Sequence, residues 1–157
     1  MKPRCFRLTM DSNVEDAVMA STMVRGLLEQ LRIAGRDTNM VELCLTEALV
    51  NAVRHAYGGK SGFEVYLDLE MEAGAIAMEI ITTGVRTTRA ALEAVAAKAA
   101  RVDAAALDNL PEDGRGMLII SRGMDEWDYF QRGGLNVLRM RKILTNAAPE
   151  AQNPAVR

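Results

Sequence analysis

The stretch Glu47-Ala48-Leu49-Val50-Asn51-Ala52-Val53-Arg54-His55-Ala56-Tyr57 places Glu47, Asn51 and His55 four residues apart. Four residues advance an α-helix by a little more than one turn, so the three side chains share one strip. Such a strip can present a carboxylate and an amide oxygen to a cation or a water. From spacing alone, the simpler reading is a solvated polar face. The neighbouring residues argue against it. Leu43, Leu45, Ala48, Leu49, Val50, Ala52 and Val53 make the helix apolar around much of its girth, so the polar strip is narrow and partly enclosed. Polar groups in an apolar setting need partners. The helix is expected from Met40 to Tyr57. Asn39-Met40-Val41-Glu42 is its capping pattern and Gly58-Gly59 its stop.

Around this helix the chain alternates between two periodicities. Arg4 to Met10 alternates polar and apolar residues, as a half-buried strand does. Ser12-Asn13-Val14-Glu15 reads as a capping box for a helix from Asn13 to Ile33, with Gly35 as its stop. After the central helix, Phe63 to Met71 and Ala75 to Ile81 read as a hairpin turning at Ala73-Gly74. Thr87 to Leu107 is alanine-rich, hence helical in part and a candidate mobile segment. Pro111 to Gly116 reads as a polar loop and Met117 to Met124 as a short helix. Glu126 to Gln131 and Leu135 to Ile143 form a closing hairpin across Gly133-Gly134. Arg139 to Lys142 alternates as a solvated edge strand would. This order implies a two-layer α/β sandwich, with a mixed, mostly antiparallel sheet and helices on one face. The expected organisation is a single domain over residues 1–145, followed by a disordered Ala/Pro/Asn-rich tail at 146–157.

Composition narrows the function. The 157 residues are 49% hydrophobic and 25% charged, the balance of an ordinary globular domain. The formal net charge is -2, which argues against a dedicated nucleic-acid binder. The sole histidine, His55, and the two cysteines, Cys5 and Cys44, have no zinc-type spacing. The cysteines are expected as reduced thiols of a cytoplasmic protein. No apolar run reaches the ~20 residues of a membrane helix, and the N-terminus lacks a signal-peptide core.

Gly114-Arg115-Gly116 ahead of the short helix is a second candidate site. Backbone N–H groups at a glycine-rich helix start attract anions. Gly58-Gly59-Lys60-Ser61 imitates the end of a P-loop. The full pattern needs a glycine where Arg54 stands and a preceding strand rather than a helix, so it reads as a helix stop.

The Glu47–Tyr57 stretch resembles the first ATP-binding box of the Bergerat-fold ATPases, which include gyrase and the histidine kinases. Its E-A-x-x-N-A-x-x-H-A-Y form is most similar to the anti-sigma-factor serine/threonine kinase branch. The block Gly114-Arg115-Gly116-Met117-Leu118-Ile119-Ile120, followed by Met124-Asp125-Glu126 and the Gly133-Gly134 hairpin, resembles that branch in the same order. The likeness covers residues 4 to 144.

The resemblance implies that Glu47 is the general base and that Asn51 binds Mg²⁺, which bridges the phosphates of ATP. It implies that Gly114, Arg115 and Gly116 line the phosphate site under a mobile lid, and that His55 packs or hydrogen-bonds near it. These roles suit Mg²⁺, which takes few protein ligands, and phosphoryl transfer, which depends on positioning and charge neutralisation. The implied partners are a sigma factor and a STAS-type anti-anti-sigma protein that receives the phosphate. A homodimer is implied too, with the first strand and first helix as contact elements.

The middle box of the family, D-x-G-x-G, departs from its pattern. Here it reads Thr82-Thr83-Gly84-Val85-Arg86. Thr82 stands where the adenine-binding aspartate is expected, Gly84 is retained, and Arg86 replaces the second glycine. Losing a charged acceptor weakens binding by roughly 1.5–3 kcal/mol, or about tenfold to a hundredfold. Arg86 either fills adenine space or pairs with a phosphate. Two functions follow: an ATP-dependent kinase that also binds a sigma factor, or a non-catalytic Bergerat-fold module that sequesters a sigma factor or STAS partner.

Overall fold

A computed structural model describes residues 3–101 and 112–146. Its elements are β1 (Arg4–Asp11), α1 (Val14–Gln30), α2 (Gly35–Tyr57), β2 (Glu64–Glu72), β3 (Ala75–Thr82), α3 (Arg89–Ala100), α4 (Glu112–Gly123), β4 (Glu126–Arg132) and β5 (Leu135–Ile143). The five strands form one sheet in the order β1-β2-β3-β5-β4. The expected sandwich is present, and its sheet is antiparallel at every pairing. β5 therefore lies between β3 and β4. The edge position predicted for Arg139 to Lys142 is corrected: β4 and β1 are the edges. Arg139 and Arg141 instead sit among cross-strand carboxylates, near Glu79, Glu72 and Glu126.

Strand alternation sets the two faces. Val65, Leu67, Leu69, Ile76, Met78, Ile80 and Met140 point to the helices and are buried. The opposite face carries charge. Arg7 Nε meets Asp68 Oδ1 at 2.5 Å, and Arg132 Nη2 meets Glu79 Oε2 at 2.7 Å. Exposed pairs of this kind contribute at most about 1 kcal/mol each.

Helix boundaries differ from the sequence reading in instructive ways. α1 is capped by Asn13 rather than Ser12: the Asn13 side chain accepts from Asp16 N–H at 2.8 Å. Ser12 is instead tied to the next hairpin, donating to Lys60 O and accepting from Phe63 N–H. α2 begins at Gly35, not Met40, and its N-cap, Ala34, has no side-chain bond. The start is held from the far end of the chain. Asp37 accepts from Thr145 N–H at 2.7 Å and from the Thr145 hydroxyl, and Ala34 N–H donates to Thr145 O. Glycine 35 thus opens a helix instead of closing one. At the other end, Gly58 adopts φ 62° and stops α2 as expected. The alanine-rich helix is α3, capped by Thr88. The rest of its predicted span and the predicted disordered tail beyond Asn146 lie outside the described residues.

Candidate functional site

α2 runs over the sheet with Glu47, Asn51 and His55 on one strip, as the four-residue spacing requires. Glu47 and Asn51 are half-buried and His55 is exposed. α4 crosses α2 closely, and glycines make the crossing feasible. A Cβ on Gly116 would lie 2.8 Å from both Asn51 Nδ2 and Glu47 Oε2. A Cβ on Gly123 would lie 2.5 Å from Cys44 Sγ and 2.6 Å from Met40 Sδ. The space a side chain would take at residue 116 is occupied by the Glu47 and Asn51 head groups.

Beside this crossing lies a cavity of about 350 Å³. Its helical wall includes Asn51, Ala52 and His55, and α3 closes it with Leu92 and Val95. Its sheet wall includes Ile80, Thr82, Asn136 and Leu138. Most of the lining is apolar, with a few convergent polar groups, the usual make-up of a small-molecule site. Thr82 and Asn136 face each other in register across β3 and β5 and are 6% and 2% exposed. A buried polar pair on an otherwise apolar sheet face is costly unless something bonds to it.

The expected site residues divide into groups. Asn51, His55 and Thr82 come together in the cavity wall, and so does Arg86. Arg86 is exposed, which places it at the mouth rather than packed in the slot. Glu47 lies one turn before Asn51, against Gly116, outside the cavity lining. Gly84 serves packing. A Cβ there would run into the Ala56 carbonyl, 2.5 Å from its carbon, and Val85 N–H donates to that same carbonyl oxygen at 2.8 Å.

The loop expected over Gly114-Arg115-Gly116 is corrected. All three residues lie within α4, because the helix begins at Glu112. The nearest neighbours of a Cβ on Gly114 would be Ala99 and Val95 of α3, so that glycine belongs to the α3–α4 contact.

Tyr57, the last residue of the central stretch, acts as a clamp. Its hydroxyl donates to Glu64 O at 3.1 Å and accepts from Thr83 N–H at 3.0 Å, and its ring stacks on Phe63. The clamp ties the end of α2 to the strand ends that carry Thr82. Asn136 escaped the sequence reading altogether. A single asparagine in a closing hairpin has no periodic signal, and only the β3–β5 register brings it opposite Thr82.

Among the described residues, no group of three or more His, Cys, Asp or Glu side chains could hold a metal ion. No helix among the described residues is long and apolar enough to cross a membrane.

A family model described as histidine kinase-like ATPase domain matches residues 10–142. Among solved structures, a chain of the SiaB–SiaC complex from Pseudomonas aeruginosa is similar in fold. It has a TM-score of 0.51 and 16% identity, and the match covers 89% of each chain. No curated protein matches this chain.

Proposed function

This chain belongs to the histidine kinase-like ATPase domain family, and on that premise we propose that it is an anti-sigma regulatory serine/threonine-protein kinase. In this reading it binds ATP with Mg²⁺, phosphorylates a STAS-type anti-anti-sigma protein and sequesters a sigma factor.

The observation that carries the reading is the cavity, with Asn51 in its wall, Glu47 one turn away and the buried Thr82–Asn136 pair on the sheet side. These residues fit a nucleotide. The slot is apolar enough for a base, its volume is within the range of small-molecule sites, and the buried Asn136 Oδ1 in its wall has no hydrogen-bond partner among the described residues. Asn51 would hold Mg²⁺ through its side-chain oxygen. Mg²⁺, when bound, neutralises charge on the transferring phosphoryl group. Glu47 would accept the proton of the incoming serine or threonine hydroxyl. Arg86 at the mouth supplies a cation for a phosphate oxygen. Gly116 serves the site by leaving room for Glu47 and Asn51. A protein partner is supported by the neighbouring structure, which is itself a two-protein complex.

Thr82 supports a second reading, a degenerate module that binds its partner without nucleotide. Calorimetry with Mg²⁺-ATP separates the two. The kinase reading expects micromolar binding by the wild-type chain, lost in Asn51→Ala, and label transfer from ATP to a STAS-domain protein. Absence of binding at millimolar ATP overturns it. Binding recovered only in Thr82→Asp supports the degenerate module.

A further inference from the structure

We propose that Asn136 reads the base of the bound nucleotide. Its side-chain oxygen selects a purine with an amino group at the 6-position over one with a keto group. The inference rests on the nucleotide reading above and adds the residue that sets its base specificity.

Asn136 Nδ2 donates to Gly84 O at 3.0 Å and lies 3.5 Å from Val85 O. Both neighbours are carbonyls, which only accept. Turning the amide over would set an acceptor against two acceptors, so the carbonyls decide which way it faces. The orientation of Oδ1 follows from this. That oxygen is buried and has no hydrogen-bond partner among the described residues. Asn136 as a whole is 2% exposed, and it lines the cavity beside Thr82. The flanking register pairs on that sheet face, Ile80 with Leu138 and Met78 with Met140, carry no donor, and the cross-strand Thr82 hydroxyl makes no hydrogen bond to Asn136 Oδ1.

A buried acceptor without a donor is unfavourable, and it becomes a recognition element once a ligand supplies the N–H. Adenine carries an amino donor at the 6-position, whereas guanine carries an oxygen there. A 6-keto base would set its oxygen against Asn136 Oδ1. Sites built around such a hydrogen bond reject the mismatched analogue far more strongly than an apolar pocket rejects a missing methylene. Asn136 thereby explains how the site tolerates Thr82. A threonine hydroxyl donates as well as accepts and does not by itself choose between the two bases. The amide pinned across the strand pair does choose.

The test compares Mg²⁺-ATP with Mg²⁺-ITP by calorimetry on the full chain. The two share phosphates, sugar and metal, so their ratio reports the 6-position together with the adjoining N1, which bears a hydrogen only in the 6-keto base. The wild type is expected to prefer ATP on the order of tenfold to a hundredfold. Asn136→Leu should bring the two within about threefold. Thr82→Val should keep a preference of about tenfold or more, and it serves as a second variant should Asn136→Leu fail to fold. Equal affinities in the wild type overturn the assignment and leave the nucleotide reading standing. A preference that survives Asn136→Leu and vanishes in Thr82→Val overturns it in favour of Thr82. Failure of both nucleotides to bind overturns the assignment together with the reading it rests on.

Discussion

Replacing Gly84 by alanine probes whether the loop after β3 is seated on the backbone of α2. The new Cβ would lie 2.5 Å from the Ala56 carbonyl carbon and 2.9 Å from the Ala56 Cβ, closer still to the carbonyl oxygen. Two of these three atoms are backbone, so no side chain can swing aside. The loop must lift off the helix instead, which strains or breaks the 2.8 Å bond from Val85 N–H to Ala56 O. Overpacking of this kind costs about 1–3 kcal/mol, and losing the bond adds about 1–3 kcal/mol. The sum, roughly 2–6 kcal/mol, is a large share of the ~5–15 kcal/mol that holds a domain together. For a chain of this size it corresponds to a fall in Tm of roughly 5–20 °C. Thermal unfolding followed by far-UV circular dichroism reads it directly. Gly26→Ala is the control. Nothing lies within 4 Å of its Cβ, and the position is exposed inside α1, so alanine should raise stability by about 0.5–1 kcal/mol. A Gly84→Ala protein melting within about one degree of wild type would falsify the close seating of the loop on α2.

Gly116→Ala should behave differently. Its Cβ would meet the ends of the Glu47 and Asn51 side chains, which can move, so Tm should change little while Mg²⁺-ATP affinity falls about tenfold or more. A loss of stability matching that of Gly84→Ala would refute this division of roles. Asp125 predicts an acid limb. Its carboxylate accepts from Ile143 N–H at 2.7 Å and faces Lys142, and these contacts hold its pKa below the ordinary range. The unfolded chain therefore takes up the proton first. The stabilisation is full above about pH 4 and is lost as pH falls through the folded value. Asp125→Asn should flatten Tm against pH below about pH 4, and curves parallel to wild type there would count against it. The thiols should separate as well. Burial pushes the Cys44 thiol up to about 12, whereas Cys5 is exposed, so iodoacetamide should modify Cys5 readily and Cys44 only on unfolding. Equal rates for the two in the native protein would contradict the burial of Cys44.

Where the chemistry was periodic, the sequence was legible. The strip Glu47–Asn51–His55 needs only a helix to come together, and the apolar residues around it ensure one. Strand alternation likewise marked the core face of β2 from local pattern alone. Helix ends were less readable, because the contacts that set them are not local. α2 starts five residues earlier than its apparent capping pattern, at Gly35, because Asp37 is satisfied by Thr145 from the opposite end of the chain. Gly114-Arg115-Gly116 has the composition of a loop, yet it lies in the first turns of a helix packed against α2 and α3. Close packing rewards absent side chains there more than weak helix propensity penalises them.

The sequence by itself determined the helix that carries Glu47 and Asn51, the strands of the sheet and the class of sandwich they form, since each follows from a repeat of two or of three to four residues. Only the tertiary structure decided what the glycines are for and what faces Thr82. Gly84 and Gly116 differ in whether backbone or side-chain ends stand in their way. Asn136 reaches Thr82 through a pairing between residues 54 positions apart, a contact that no local pattern encodes.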